Sequence, residues 1–119
     1  MHKFIVGTGE YVYEVKHPFG MLSSGLSWGN ISHVATDSSG NVYVYQRQDP
    51  PMLIFGSGGK CLDSWGNDQL MDAHGLFITP DDEVFVCDRD AHQVVKYDLQ
   101  GNILLKIGNR DKPALQKPF

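Results

Sequence analysis

Apolar and polar residues alternate along most of this chain in short runs, and nearly every run is closed by a turn signal. The clearest stretch is His74–Asn109, with the runs HGLFI, EVFVCD, HQVVKYD and NILLKIG. Pro80-Asp81-Asp82 separates the first two runs, and Gln100-Gly101-Asn102 the last two. Proline presets one turn dihedral and glycine supplies positive φ, so each group predicts a tight turn. Four antiparallel strands in this stretch predict a meander. A lone meander buries too little to stand by itself and must stack on another. Helix-period patterns are almost absent, and the 13 glycines suit an all-β protein with many turns.

The same unit occurs one step earlier. A shift of 42 residues lays Ser32–Asn67 on His74–Asn109 without a gap. Val42 falls on Val84, Val44 on Val86, Arg47 on Arg89 and Gly59 on Gly101, and Leu62 and Gly66-Asn67 match as well. Tyr43 with Phe85, Leu53 with Val95 and Phe55 with Tyr97 are similar pairs. A period of about 40–45 residues with four strands each is the pattern of a β-propeller blade. The expected fold class is therefore all-β, built of four-stranded antiparallel blades, about two and a half per chain.

In chain order, residues 1–30 predict a half blade of two outer strands. The two are the run within Glu10–Lys16, as a third strand, and Leu26–Asn30, which echoes Leu62–Asn67; Lys3–Val6 is a further short strand candidate. Residues 31–67 predict a complete blade with strands SHVATD, NVYVYQ, MLIF and KCLDSW, and residues 68–109 a second one. Residues 110–119 read as a loop toward a following blade. Trp28, Trp65, Phe55, Tyr97 and Phe85 are expected as core between blades. A closed ring needs at least four blades. The chain is thus expected to be part of a longer propeller or to form a homo-oligomer that completes one.

Charge and cysteines narrow the classes. A net charge of −4 gives no basic footprint for nucleic acid. No apolar run is long enough to cross a membrane as a helix. The start, MHKFIVGTGEYVYEV, has no long apolar core of a secretory leader, so the expected location is cytoplasmic. Cys61, expected on an outer strand, and Cys87, on an inner one, read as packing thiols.

The candidate chemistry lies at one rim. In a blade, the start of the first strand and the end of the second share one mouth of the central channel. That places His74 and His33 beside Arg47 and Arg89, with Asp49, Asp88 and Asp90 next to them. Imidazole and guanidinium groups suit an anionic or metal-linked small ligand or a peptide. For the three aspartates the plainer reading is a solvated rim of turn residues.

Two stretches carry a resemblance. The pattern G-x-[VIL]-x-V-x-D/C, followed by V-x-x-[FY]-D-x-x-G-x-x-[LI]-x-x-[IL]-G, is similar to the NHL repeat of six-bladed propellers. More narrowly, HVATDSSGNVYVYQR and AHGLFITPDDEVFVCDRDAHQVVKYD resemble peptidyl-α-hydroxyglycine α-amidating lyases, over roughly residues 31–109. That family releases a peptide amide and glyoxylate with zinc in the central channel. The resemblance implies a zinc-ligating role for His74, a catalytic, substrate-facing role for Arg47, and structural calcium contacts through the backbone carbonyls of Val34 and Leu76. The chain departs from the family at Arg47-Gln48-Asp49-Pro50, where an Arg-Gly-Asp-His type of sequence is expected. Only one zinc ligand is offered, whereas catalytic zinc takes three protein ligands. The alternative is a non-catalytic NHL-type module that binds a protein or small ligand on its rim. A lactonase-like hydrolase is weaker, because no inner-rim glutamate suits it.

Overall fold

The computed structural model describes residues 3–113. Among them the chain forms ten strands in three antiparallel sheets, with no helix. Strands β1 (Phe4–Thr8) and β2 (Tyr11–Val15) make a hairpin. Strands β3 (Ile31–Thr36), β4 (Val42–Gln46), β5 (Met52–Phe55) and β6 (Cys61–Trp65) form the first four-stranded sheet. Strands β7 (Ala73–Ile78), β8 (Val84–Asp88), β9 (Gln93–Tyr97) and β10 (Ile103–Ile107) form the second. In each sheet the strands lie side by side in sequence order, as meanders do. No helix of the described residues is long and apolar enough to cross a membrane.

The 42-residue repeat holds at the level of backbone bonds. Strand β7 begins and ends 42 residues after β3, β8 after β4, and β10 after β6. The turn Asp37–Asn41 is closed by Asp37 N–H donating to the Asn41 carbonyl at 3.1 Å, and Thr79 donates to Glu83 at 2.9 Å. Likewise Gly56 donates to Lys60 at 2.9 Å, and Asp98 to Asn102 at 3.0 Å. Gly59 and Gly101 sit at φ 92° and 87°, the left-handed region these turns need. Turn chemistry alone thus sets the same hairpin geometry twice.

The two large sheets stack, and they converge toward their first strands. Cα atoms of β7 come within 8 Å of β3 and β4, closer than the roughly 10 Å between ordinary stacked sheets. Strands β6 and β10 have no such approach. The space between the sheets is filled by Tyr43, Tyr45, Met52, Ile54 and Trp65 from the first, and by Leu76, Ile78, Val84, Val86, Val95 and Tyr97 from the second. Trp65 lies on Tyr97 with ring centroids 4.6 Å apart. Each such side chain fully withdrawn from water contributes about 1.5–3 kcal/mol. At one end of the stack the turns are tied together, since Ser38 N–H donates to Asp82 Oδ1 at 2.8 Å.

The N-terminal third departs from the expected half blade. Residues 26–30 form no strand. Two of their backbone groups are taken by side chains instead: Gly29 N–H donates to Gln46 Oε1 at 2.8 Å, and the Ser27 carbonyl accepts from Gln48 Nε2 at 3.1 Å. The segment acts as a strap over the far face of the first sheet. There Leu22 and Leu26 cover Val44, Leu53 and Phe55, and Trp28 stacks on Phe55 at 5.4 Å. Strands β1 and β2 pair only with each other and approach no other strand. Of the five aromatics expected as core, Phe55, Trp65 and Tyr97 are buried, whereas Trp28 is exposed and Phe85 half-buried. Phe55 lies under the strap, not between the two sheets. Cys61 falls on the outer strand β6 and Cys87 on β8, both as free thiols. The loop expected over residues 110–119 lies largely outside the described residues.

Candidate functional site

One end of the stack gathers two arginines around a buried carboxylate. Arg47 directly follows β4 and Arg89 directly follows β8, so the repeat places them equivalently. Asp72, one residue before β7, sits between them with little exposure. Arg47 Nε lies 3.3 Å from Asp72 Oδ1, and Arg89 Nη2 lies 2.6 Å from Asp72 Oδ2. Arg89 Nε also stands 3.5 Å from Asp90 Oδ1. Arg47 Nε further donates to the Ala73 carbonyl at 3.0 Å and to Ser32 Oγ at 3.2 Å. Ser32 Oγ in turn donates to the same Ala73 carbonyl at 2.7 Å, so both sheets are joined here. Asp72 Oδ2 is buried without a hydrogen bond of good geometry, yet its contact with Arg89 is 2.6 Å. At that separation the two charges attract whatever the donor angle, so the ion pair stands.

Backbone bonds fix this geometry, again twice. Arg47 N–H donates to the Asn30 carbonyl at 2.8 Å, and Arg89 N–H to the Asp72 carbonyl at 3.0 Å. The preceding residues anchor the loops. Gln46, fully buried, accepts from Gly29 and donates from Nε2 to the Pro50 carbonyl at 3.0 Å. Asp88, its equivalent, is 1% exposed and accepts from Met71 N–H at 2.8 Å and Asp72 N–H at 2.9 Å. Both Asp88 oxygens therefore serve the loop that carries Asp72. The rim position expected for Asp88 is replaced by this interior role, because a buried carboxylate must find donors.

The other candidates divide between two hollows. A cleft of about 180 Å³ is bordered by Gln46, Arg47, Gln48, Asp49 and Ala73. A more open hollow of about 440 Å³ is bordered by His74, Cys87, Arg89 and His92. Arg47 and His74, expected at one site, thus line different hollows. His33 is exposed in β3, but the repeat equivalent of His74 is Ser32. His33 and His74 therefore hold different positions of the repeat, and both β3 and β7 are bulged there. Asp49 accepts from Asp68 N–H at 3.3 Å. Val34 and Leu76 are repeat equivalents in β3 and β7, paired with Val44 and Val86.

The zinc expectation can be tested on the donor set. Among the described residues no three His, Cys, Asp or Glu side chains stand close enough to hold one ion. His74 is a single ligand, short of the three that catalytic zinc takes. The described residues of one chain therefore supply too few donors for that metal. The titration of buried groups near the site follows from packing. Burial, and then the Asp88 charge, pushes the Tyr97 hydroxyl up to about 12. Burial and Asp88 also raise Tyr45, whose hydroxyl donates to the Cys87 carbonyl at 3.3 Å.

Asp72 is the residue that sequence reasoning missed. It lies outside any alternating run, and its partners are 25 and 17 residues away. The one available signal was its register with Asn30, just before an inner strand. No protein-family model matches the chain, and no curated protein is significantly similar to it.

Proposed function

We propose that this chain is part of an NHL-type propeller that binds a carboxylate-bearing small molecule or peptide at the Arg47 rim. The observation that supports it is the Arg47–Asp72–Arg89 cluster. Arg47 uses Nε for Asp72, Ala73 and Ser32, and makes no other side-chain hydrogen bond among the described residues. Arg47 borders the 180 Å³ cleft, and its two Nη groups suit a planar carboxylate. The blade reading draws on the repeated sheets and their convergence at the first strands. Lyase-like chemistry is the second reading. It needs zinc donors from beyond one copy, which a homo-oligomer with several His74 side chains at one channel would supply.

The test compares one peptide with a free C-terminal carboxylate and the same peptide amidated, by isothermal titration. The carboxylate form should bind at least about tenfold more tightly, and Arg47→Ala should erase the difference, since a charge-assisted bond is worth about 1.5–3 kcal/mol. Equal binding of the two peptides sinks the rim reading. Metal analysis after zinc loading addresses the lyase reading: bound zinc that disappears in His74→Ala supports it, and no bound zinc removes it.

A further inference from the structure

We propose that the β1–β2 hairpin of one copy docks along the β10 edge of a second copy and extends its second sheet. This deepens the assembly part of the reading above, on which it rests. The hairpin is the most exposed apolar element of the described chain. Phe4 is 69%, Tyr11 70% and Tyr13 60% exposed, with Ile5, Val6 and Val12 exposed between them. Consecutive side chains of a strand point to opposite faces, so both faces of the hairpin are apolar. An isolated two-stranded hairpin is marginal in water and gains most by joining a larger sheet.

The receiving edge is defined by comparing the repeats. Strand β6, the outer strand of the first sheet, is bridged by the strap: Met21 N–H donates to the Gly59 carbonyl at 2.7 Å, and Cys61 N–H donates to the Met21 carbonyl at 3.3 Å. The equivalent groups on the second sheet are the Gly101 carbonyl and the Ile103 N–H. No segment of the described residues bridges them. Strand β10 ends its sheet, and Ile103, Leu104, Leu105 and Ile107 are all exposed along it. An open apolar edge of this kind is a template for an added strand. The flat face beside it is a poorer place to dock. Its Lys96, paired with Glu83, would have to be buried there.

The occupant is a second copy. Phe19 packs on Phe55, on the face of the first sheet turned away from the second. The link Lys16-His17-Pro18 spans four Cα steps from Val15 to Phe19, a reach of at most about 14 Å. Within its own chain the hairpin comes near no strand of either large sheet, β10 included, which leaves the β10 edge of a second copy as the place where it docks. A lipid surface is disfavoured by charge: Lys3 and Lys16 are matched by Glu10 and Glu14, and the chain is net negative. Two different surfaces meet, so the contact is head to tail.

Complementation tests this directly. Val12→Asp disables the hairpin, and Leu104→Asp disables the edge; both sites are exposed, and circular dichroism should show the fold unchanged. By light scattering after size exclusion, the wild type should exceed the monomer mass and each variant alone should be a monomer. Their equimolar mixture should give a dimer, because each supplies the surface the other lacks. A wild-type oligomer without complementation overturns the docking and leaves the assembly reading standing on another surface. A wild-type monomer overturns both. If either variant unfolds, a cross-link decides: in a Cys61→Ser/Cys87→Ser background, Glu14→Cys and Lys106→Cys chains should form a mixed disulfide on mixing, and its failure to form overturns the proposal.

Discussion

Met52 and Val94 occupy the same place in the two large sheets, 42 residues apart, yet Met52 is fully buried and Val94 half-buried. The contrast runs along the whole face. Tyr43, Tyr45 and Ile54 are all buried, whereas their equivalents Phe85, Cys87 and Lys96 are not. The chemistry has drifted accordingly, since Lys96 pairs with Glu83 and lies 5.7 Å over the Phe85 ring, where the first sheet carries Ile54. Strand geometry is thus repeated by the turns and the alternation, which are local. Burial is not repeated, because it depends on what stacks on each face. The first sheet has the strap on one side and the second sheet on the other. The second sheet has only the first.

The sharpest way to break this comparison is to place a charge at both positions. Met52→Asp would bury an unpaired carboxylate between the sheets, and should cost more than about 4 kcal/mol or prevent folding. Val94→Asp can keep its carboxylate in water and should cost under about 1 kcal/mol. Urea unfolding of both variants measures the difference. Comparable losses would mean that the face carrying Val94 is covered in solution.

The same division explains what could be read from the sequence. All eight strands of the two large sheets lie within a residue or two of the alternating runs, because Pro80, Gly59, Gly101 and their neighbours set the turns locally. Residues 26–30 resembled an outer strand by the echo of Leu26 and Trp28 with Leu62 and Trp65. What decides their conformation is Gln46, which captures their backbone from 17 residues away. At the site, the two arginines were legible through the repeat. Asp72 was not, and the depth of Asp88 was not. Both depend on loops folding back on strand ends, which leaves no period in the chain. Arg47 and His74 stand close by way of the backbone, since Arg47 Nε bonds the Ala73 carbonyl and His74 is the next residue, yet they border different hollows.

Gln46 and Asp88 sharpen the comparison at smaller cost, for here the repeat keeps the role and changes the residue. Asp88→Ala strips acceptors from two backbone N–H groups, one of them Asp72 N–H, and should cost about 2–4 kcal/mol. It should also loosen Asp72 and so weaken carboxylate binding at Arg47. Gln46→Ala removes neutral bonds only and should cost about 1–2 kcal/mol, with the strap over Phe55 becoming faster in amide exchange. Equal losses in the two variants would show that the charge on Asp88 adds nothing.

The smallest effect concerns pH, and it separates the seam from the rest of the molecule. Tyr97 and Tyr45 both lie between the sheets, and burial raises both hydroxyls above the ordinary value near 10. Below pH 10 the tyrosines are protonated in folded and unfolded chains alike, so their contribution is fully present. Above 10 the unfolded chain loses protons while folded Tyr97 holds its proton until about 12. The unfolded state then binds fewer protons, and stability falls as pH rises through that window. Unfolding free energies should accordingly be level from pH 8 to 10 and decline toward 12. Tyr97→Phe should flatten part of the decline, at a cost near neutral pH of about 1 kcal/mol for the lost 3.0 Å bond to Gln69 Oε1. A decline unchanged in that variant would place the alkaline-sensitive group away from Tyr97, and the seam would not be what fails first.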